Sequence, residues 1–90
     1  MTREEVIEFM DSDERFNSRH ENNDDGFTRL QKGLEILKTI CRNRELSAQH
    51  DIIYCGLDTD FDKLTMKTLK ELSVLGFSFN SEEDCWSTFT

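Results

Sequence analysis

Ninety residues with 36% apolar side chains and seven phenylalanines allow one small core, and exclude the two-lobed architecture that frames a deep substrate cleft. A net charge of −8, from 19 acidic against 11 basic residues, disfavours direct contact with nucleic acid or anionic membranes and favours a basic partner. Three cysteines, an N-terminus reading Met-Thr-Arg-Glu-Glu and no apolar run near the ~20 residues of a membrane span point to buried thiols in a reducing, cytoplasmic setting.

Thr2 and Glu5 have the spacing of a capping box and open a short helix whose apolar side carries Val6, Ile7, Phe9 and Met10. Residues 11–25 are polar apart from Phe16, with little to anchor them. The strongest periodicity follows. Phe27, Leu30, Leu34, Leu37 and Cys41 recur at intervals of 3 and 4, with Ile36 and Ile40 widening the stripe, as on the buried side of an amphipathic helix. Asp24 or Asp25 can cap its start, and Lys38, Arg42 and Arg44 suit its negative end. Gly33 inside it costs about 1 kcal/mol relative to Ala, a cost that a close crossing by another element would explain.

Ile52-Ile53-Tyr54-Cys55, closed by Gly56, predicts a strand. The next helix has signals at both ends. Thr65 is its N-cap, Leu64 and Leu69 form a hydrophobic staple, and Gly76 sits where a left-handed C′ residue ends a helix, with Phe77 able to pack on Leu72. Phe77-Ser78-Phe79 and Cys85-Trp86-Ser87-Thr88-Phe89 alternate around a Ser81–Asp84 turn and predict a terminal hairpin. The expected fold is α+β: one domain over residues 1–90, with a small antiparallel three-stranded sheet and two or three helices packed on one face.

The charge is uneven, at −6 over residues 1–25, +3 over 26–50 and −5 over 51–90. Asp58, Asp60 and Asp62 have the spacing of a calcium loop, but Lys63 stands at the turn position that needs Gly and Leu69 at the position that needs Glu. A solvated acidic turn before a helix N-terminus fits these residues better than a metal site. Glu82, Glu83 and Asp84 crowd a hairpin tip, where three adjacent acids are solvated and a partner-facing knob is more natural than acid–base catalysis. His20 and His50 are far apart, and no cysteines have the close spacing of a zinc site. No phosphate-cradling or nucleophile motif is present, and no catalytic residue or cofactor is expected.

The run Leu64-Thr65, Leu69, Leu72, Leu75-Gly76-Phe77, followed by Ser81-Glu82-Glu83-Asp84 and Trp86-Ser87 with Phe89, resembles the ending of many small acidic proteins encoded by bacteriophages. Ser47 through Tyr54 is similar to the strand that precedes it there. The resemblance covers about half the chain and carries no catalytic residue. It implies a phage accessory protein in the host cytoplasm that binds and inhibits a host enzyme, such as restriction, CRISPR or transcription machinery.

The function expected is therefore docking of an acidic surface, carried by Asp58, Asp60, Asp62, Glu82, Glu83 and Asp84, on a basic and nucleic-acid-binding host protein, in the manner of a DNA mimic. The acids of Asp11–Glu14 and Glu21–Asp25 are secondary candidates. A charged surface that merely keeps a small protein soluble explains the composition about as well. Two other readings compete: a homodimer through the Phe27–Cys41 stripe or the exposed side of the hairpin, and a divalent-metal protein built on the Asp58–Asp62 loop.

Overall fold

The polar segment Cys41–Gln49, which has almost no apolar pattern, pairs along its length with the strand that the sequence predicts. In the computed structural model, which describes residues 1–12 and 24–89, the order is α1 (Arg3–Met10), α2 (Gly26–Ile40), β1 (Cys41–Gln49), β2 (Ile52–Thr59), a 3-10 turn (Phe61–Lys63), α3 (Met66–Val74), β3 (Phe77–Asn80) and β4 (Cys85–Phe89). The sheet is antiparallel in the order β1-β2-β4-β3. It has four strands, which corrects the expectation of three. The missed strand lies at the edge and is exposed from Arg42 onward, so no buried alternation marks it.

Local signals set most of the element ends. Thr2 accepts from the Glu5 N–H while the Glu5 carboxylate accepts from the Thr2 N–H, completing the capping box. Asp25 caps α2 through the Thr28 N–H at 2.8 Å, and Arg44 donates to the Lys38 carbonyl in its last turn. Thr65 caps α3, with Leu64 and Leu69 both buried against its first turn. Gly76, at φ +89°, closes α3 by donating to the Ser73 carbonyl. Between α2 and β1 there is no loop, since Ile40 ends the helix and Cys41 begins the strand.

The three helices lie on one side of the sheet. Val6, Phe9, Leu37, Ile40, Leu69 and Leu72 pack on Cys55, Phe77, Phe79 and Trp86 to form the core. The Trp86 indole N–H donates to Thr59 Oγ1 at 3.0 Å, and its ring meets Phe79 edge to face. Gly33 is explained by the Phe77 ring, whose Cε1 lies 2.0 Å from where a β-carbon would stand. The α2 stripe departs from its prediction at one end: Phe27 is 89% exposed, and full burial is confined to Gly33, Leu37 and Ile40, with Leu30, Leu34 and Ile36 partly buried against the core. On the opposite face, Tyr54, Ser78 and Ser87 follow the strand alternation outward and are half-buried.

Candidate partner-binding surface

The register of β2 against β4 decides where the acidic loops go. Leu57 pairs with Cys85, so Asp58, in the last residues of β2, and Asp84, just before β4, lie at the same end of the sheet. The two loops that are distant in sequence therefore become neighbours. Each turn places an aspartate in the left-handed region, Asp58 at φ 53° and Asp84 at φ 51°, a conformation that Asp tolerates better than most residues. Gly56, at φ +69°, supplies an extra residue of β2 at this point, a bulge that turns the strand before its last residues.

Backbone hydrogen bonds hold the Asp58–Asp62 loop in place. The Asp60 N–H donates to the Ile40 carbonyl, and the Asp60 carboxylate accepts from the Asp62 N–H at 3.2 Å, capping the 3-10 turn. The ammonium of Met1 donates to the Phe61 and Leu64 carbonyls at 2.9 and 3.0 Å. Across the gap, Asn80 Oδ1 accepts from the N–H groups of both Glu82 and Glu83, at 3.0 and 3.1 Å. The acids thus stand on a frame that is already ordered before any partner arrives.

Two arginines answer part of the charge: Arg3, which the sequence does not single out, and Arg42, which the sequence assigns to the end of α2 and which instead faces the acids. Arg42 lies between Asp58 at 3.4 Å and Asp60 at 3.6 Å. Arg3 pairs with Asp84 at 2.7 Å, donates to the Ser81 carbonyl at 2.8 Å, and rests 5.9 Å from the centre of the Phe79 ring. Among the described residues, Asp62, Glu82 and Glu83 have no ion pair. Six carboxylates against two guanidiniums, the Met1 ammonium and Lys63 still leave this end negative. Exposed pairs of this kind contribute only about 0–1 kcal/mol each, so a stronger cationic partner can displace them.

The same geometry bears on the calcium-like spacing. Asp58 and Asp60 face Arg42 and Asp60 also serves its own turn, while among the described residues no group of three His, Cys, Asp or Glu side chains is arranged to hold a metal ion. The secondary acids divide. Asp24 pairs with Lys32 at 2.7 Å, and the Thr28 N–H bonded to Asp25 holds that carboxyl below its ordinary pKa. Asp11 ends α1 as its C-cap. Asp13, Glu14, Glu21, His20 and Phe16 lie outside the described residues.

A second surface lies at the first turns of α2. Phe27 and Phe89, 89% and 61% exposed, flank a groove of about 450 Å³ whose walls include Leu30, Ile53 and Leu75, with Asp25 and Arg29 at its rim. All three cysteines are free and buried. Burial pushes each thiol pKa up, Cys55 to about 12, with neighbouring Glu83 and Asp84 adding to the rise at Cys85. Such thiols stay protonated and are poor nucleophiles. Among the described residues no helix is long and apolar enough to cross a membrane. No protein-family model, curated protein or solved structure matches the chain.

Proposed function

We propose that this chain is a non-catalytic accessory protein that docks its acidic end on a basic, nucleic-acid-processing host protein and occupies the groove meant for phosphate. The observation that carries the reading is the Leu57–Cys85 register, which gathers Asp58, Asp60, Asp62, Glu82, Glu83 and Asp84 at one end of a rigid sheet. Spaced carboxylates on a fixed frame pair with the Lys and Arg side chains that would otherwise bind phosphate, and release the same counterions. The resemblance to small acidic phage proteins favours an inhibitor of host defence or transcription, working in the host cytoplasm without cofactor, nucleic acid or membrane.

The test is competition. Immobilised chain should retain basic nucleic-acid-binding host proteins at low salt, and duplex DNA should elute them. So should ~0.5 M salt, where the Debye length falls to roughly 4 Å. The combined Asp62→Asn, Glu82→Gln and Glu83→Gln variant should retain them at least tenfold less well. Retention that ignores both DNA and salt would contradict the proposal.

One observation favours a second reading, a homodimer. The Phe27–Phe89 groove is apolar, and its rim carries one acid and one base, Asp25 and Arg29, so a two-fold axis could match each to its opposite. Sedimentation velocity of the parent and of Phe27→Ser separates the readings. A dimer lost in the variant supports this one, and a monomer throughout removes it.

A further inference from the structure

The open face of the sheet contains a hollow that the acidic end does not explain. It holds about 430 Å³, within the size range of small-ligand sites, roughly 300–1,000 Å³. Its floor is Tyr54, Leu57 and Cys85, with Ser47 alongside, and its rim carries Glu45 of β1 and Glu83 of the β3–β4 turn. Tyr54 is half-buried, Leu57 is 37% exposed and Cys85 is buried, so an aromatic and an aliphatic side chain are both available on the floor. We propose that this hollow receives an arginine side chain from the basic partner.

The argument is one of complementary charge and shape. Glu45 and Glu83 have no ion pair among the described residues, whereas Asp24, Asp58, Asp60 and Asp84 each face a cation of this chain. Their backbones are fixed: Asn43 Oδ1 accepts from the Glu45 N–H at 3.0 Å, and Asn80 Oδ1 accepts from the Glu83 N–H. Glu45 also lies in the stretch where β1 carries one extra residue between Asn43 and Leu46, and such a bulge re-aims side chains. Two anchored acids above an aromatic and an aliphatic floor suit a flat cation carried on an apolar stem.

Arginine meets that description better than lysine. Its guanidinium offers five donors in a plane, can serve two carboxylates at once, and stacks on an aromatic face, while its methylenes pack on apolar surface. Lysine brings a compact, strongly hydrated charge that gains less from Tyr54. The hollow would therefore give the acidic surface a preference among basic partners, which charge alone does not. This inference rests on the docking proposed above, and its test separates the two.

The test uses the full chain, labelled with nitrogen-15, titrated with a short soluble peptide in which Arg alternates with Ser. Lys and citrulline versions serve as comparisons, citrulline keeping the shape of Arg without its charge. Amide shifts should centre on Glu45, Tyr54, Leu57, Glu83 and Cys85. Affinity should fall about fivefold to tenfold for Lys and more for citrulline, in line with the loss of charge-assisted and stacked contacts. The Glu45→Gln and Glu83→Gln pair should abolish these shifts, while Glu8→Gln with Glu71→Gln, exposed on the helices and outside both acidic surfaces, should leave them within about twofold. Trp86 emission checks that each variant is folded. Arg-peptide shifts confined to residues 58–62 and 82 would overturn the hollow but leave acidic docking intact. No response to either basic peptide would overturn both.

Discussion

Replacing Gly33 with alanine measures how closely α2 lies on the sheet. In an exposed helix interior the change gains about 1 kcal/mol. Here the new β-carbon would stand 2.0 Å from Phe77 Cε1, 2.4 Å from Cζ and 2.6 Å from Cδ1. Ordinary carbon contacts are about 3.5–4.0 Å, so the ring or the helix must withdraw by roughly 1.5 Å. Phe77 is 1% exposed and its backbone pairs with Thr88, which leaves the ring little free space. Overpacking of this kind costs about 1–3 kcal/mol, and the size of the overlap puts Gly33→Ala at the upper end. Net of the helix gain, a loss of about 1–2 kcal/mol is expected, or roughly 5–15 °C in Tm for a domain of this length. Urea and thermal unfolding followed by Trp86 emission read it directly. The cause is isolated by repeating the change in a Phe77→Leu background, where the cost should shrink by about 1 kcal/mol or more. A Gly33→Ala protein as stable as its parent, or an equal cost in both backgrounds, would refute the packing argument.

Three further outcomes follow from the same geometry. Thr59→Val removes the acceptor of the buried Trp86 N–H and the hydroxyl beside Cys41 Sγ, so the urea midpoint should drop by an amount worth about 1–3 kcal/mol. The Cys55 pKa is raised in the fold from 9.0 to about 12, so its contribution to stability is complete below pH 9 and is lost as pH climbs toward 12. Urea midpoints measured from pH 8 to 11 should fall, and fall less steeply in Cys55→Ala; the native thiols should resist alkylation at pH 8, with all three reacting in denaturant. Arg42→Gln removes the cation facing Asp58 and Asp60, so stability should change by no more than about 1 kcal/mol while capture of a basic partner at low salt strengthens. Weaker capture would mean that Arg42 itself touches the partner.

Legibility from sequence followed the range of the interactions. The Thr2–Glu5 box, the Thr65 cap with its Leu64–Leu69 staple, and the Gly76 ending are set within a few residues, and each is found where the pattern places it. β1 is illegible because this edge strand buries only Cys41, and Arg42-Asn43-Arg44-Glu45 has no period to read. Gly56 reads locally as a strand end, yet β2 passes through it as a bulge to Thr59. Each acidic loop was visible by itself. Their convergence was not, because it depends on pairing Leu57 with Cys85 across 28 residues, as do the counter-charges from Arg3 and Arg42. Phe27 fits the helical stripe, but periodicity cannot tell which members of a stripe meet the core.

The direct passage from Ile40 to Cys41 makes this junction a counting device. With no loop to absorb an extra residue, and with the Ile40 carbonyl tied to the Asp60 N–H, one inserted amino acid would rotate the whole of β1 by a half-period. Arg42 would swing away from Asp58 and Asp60, and Glu45 would leave the open face of the sheet. The hairpin tips at His50–Asp51 and Ser81–Asp84 face solvent and can lengthen without that penalty. Chain-length variation should therefore be accepted at the tips and rejected at this seam, where one residue too many would scramble the surface charge pattern without replacing a single acidic residue.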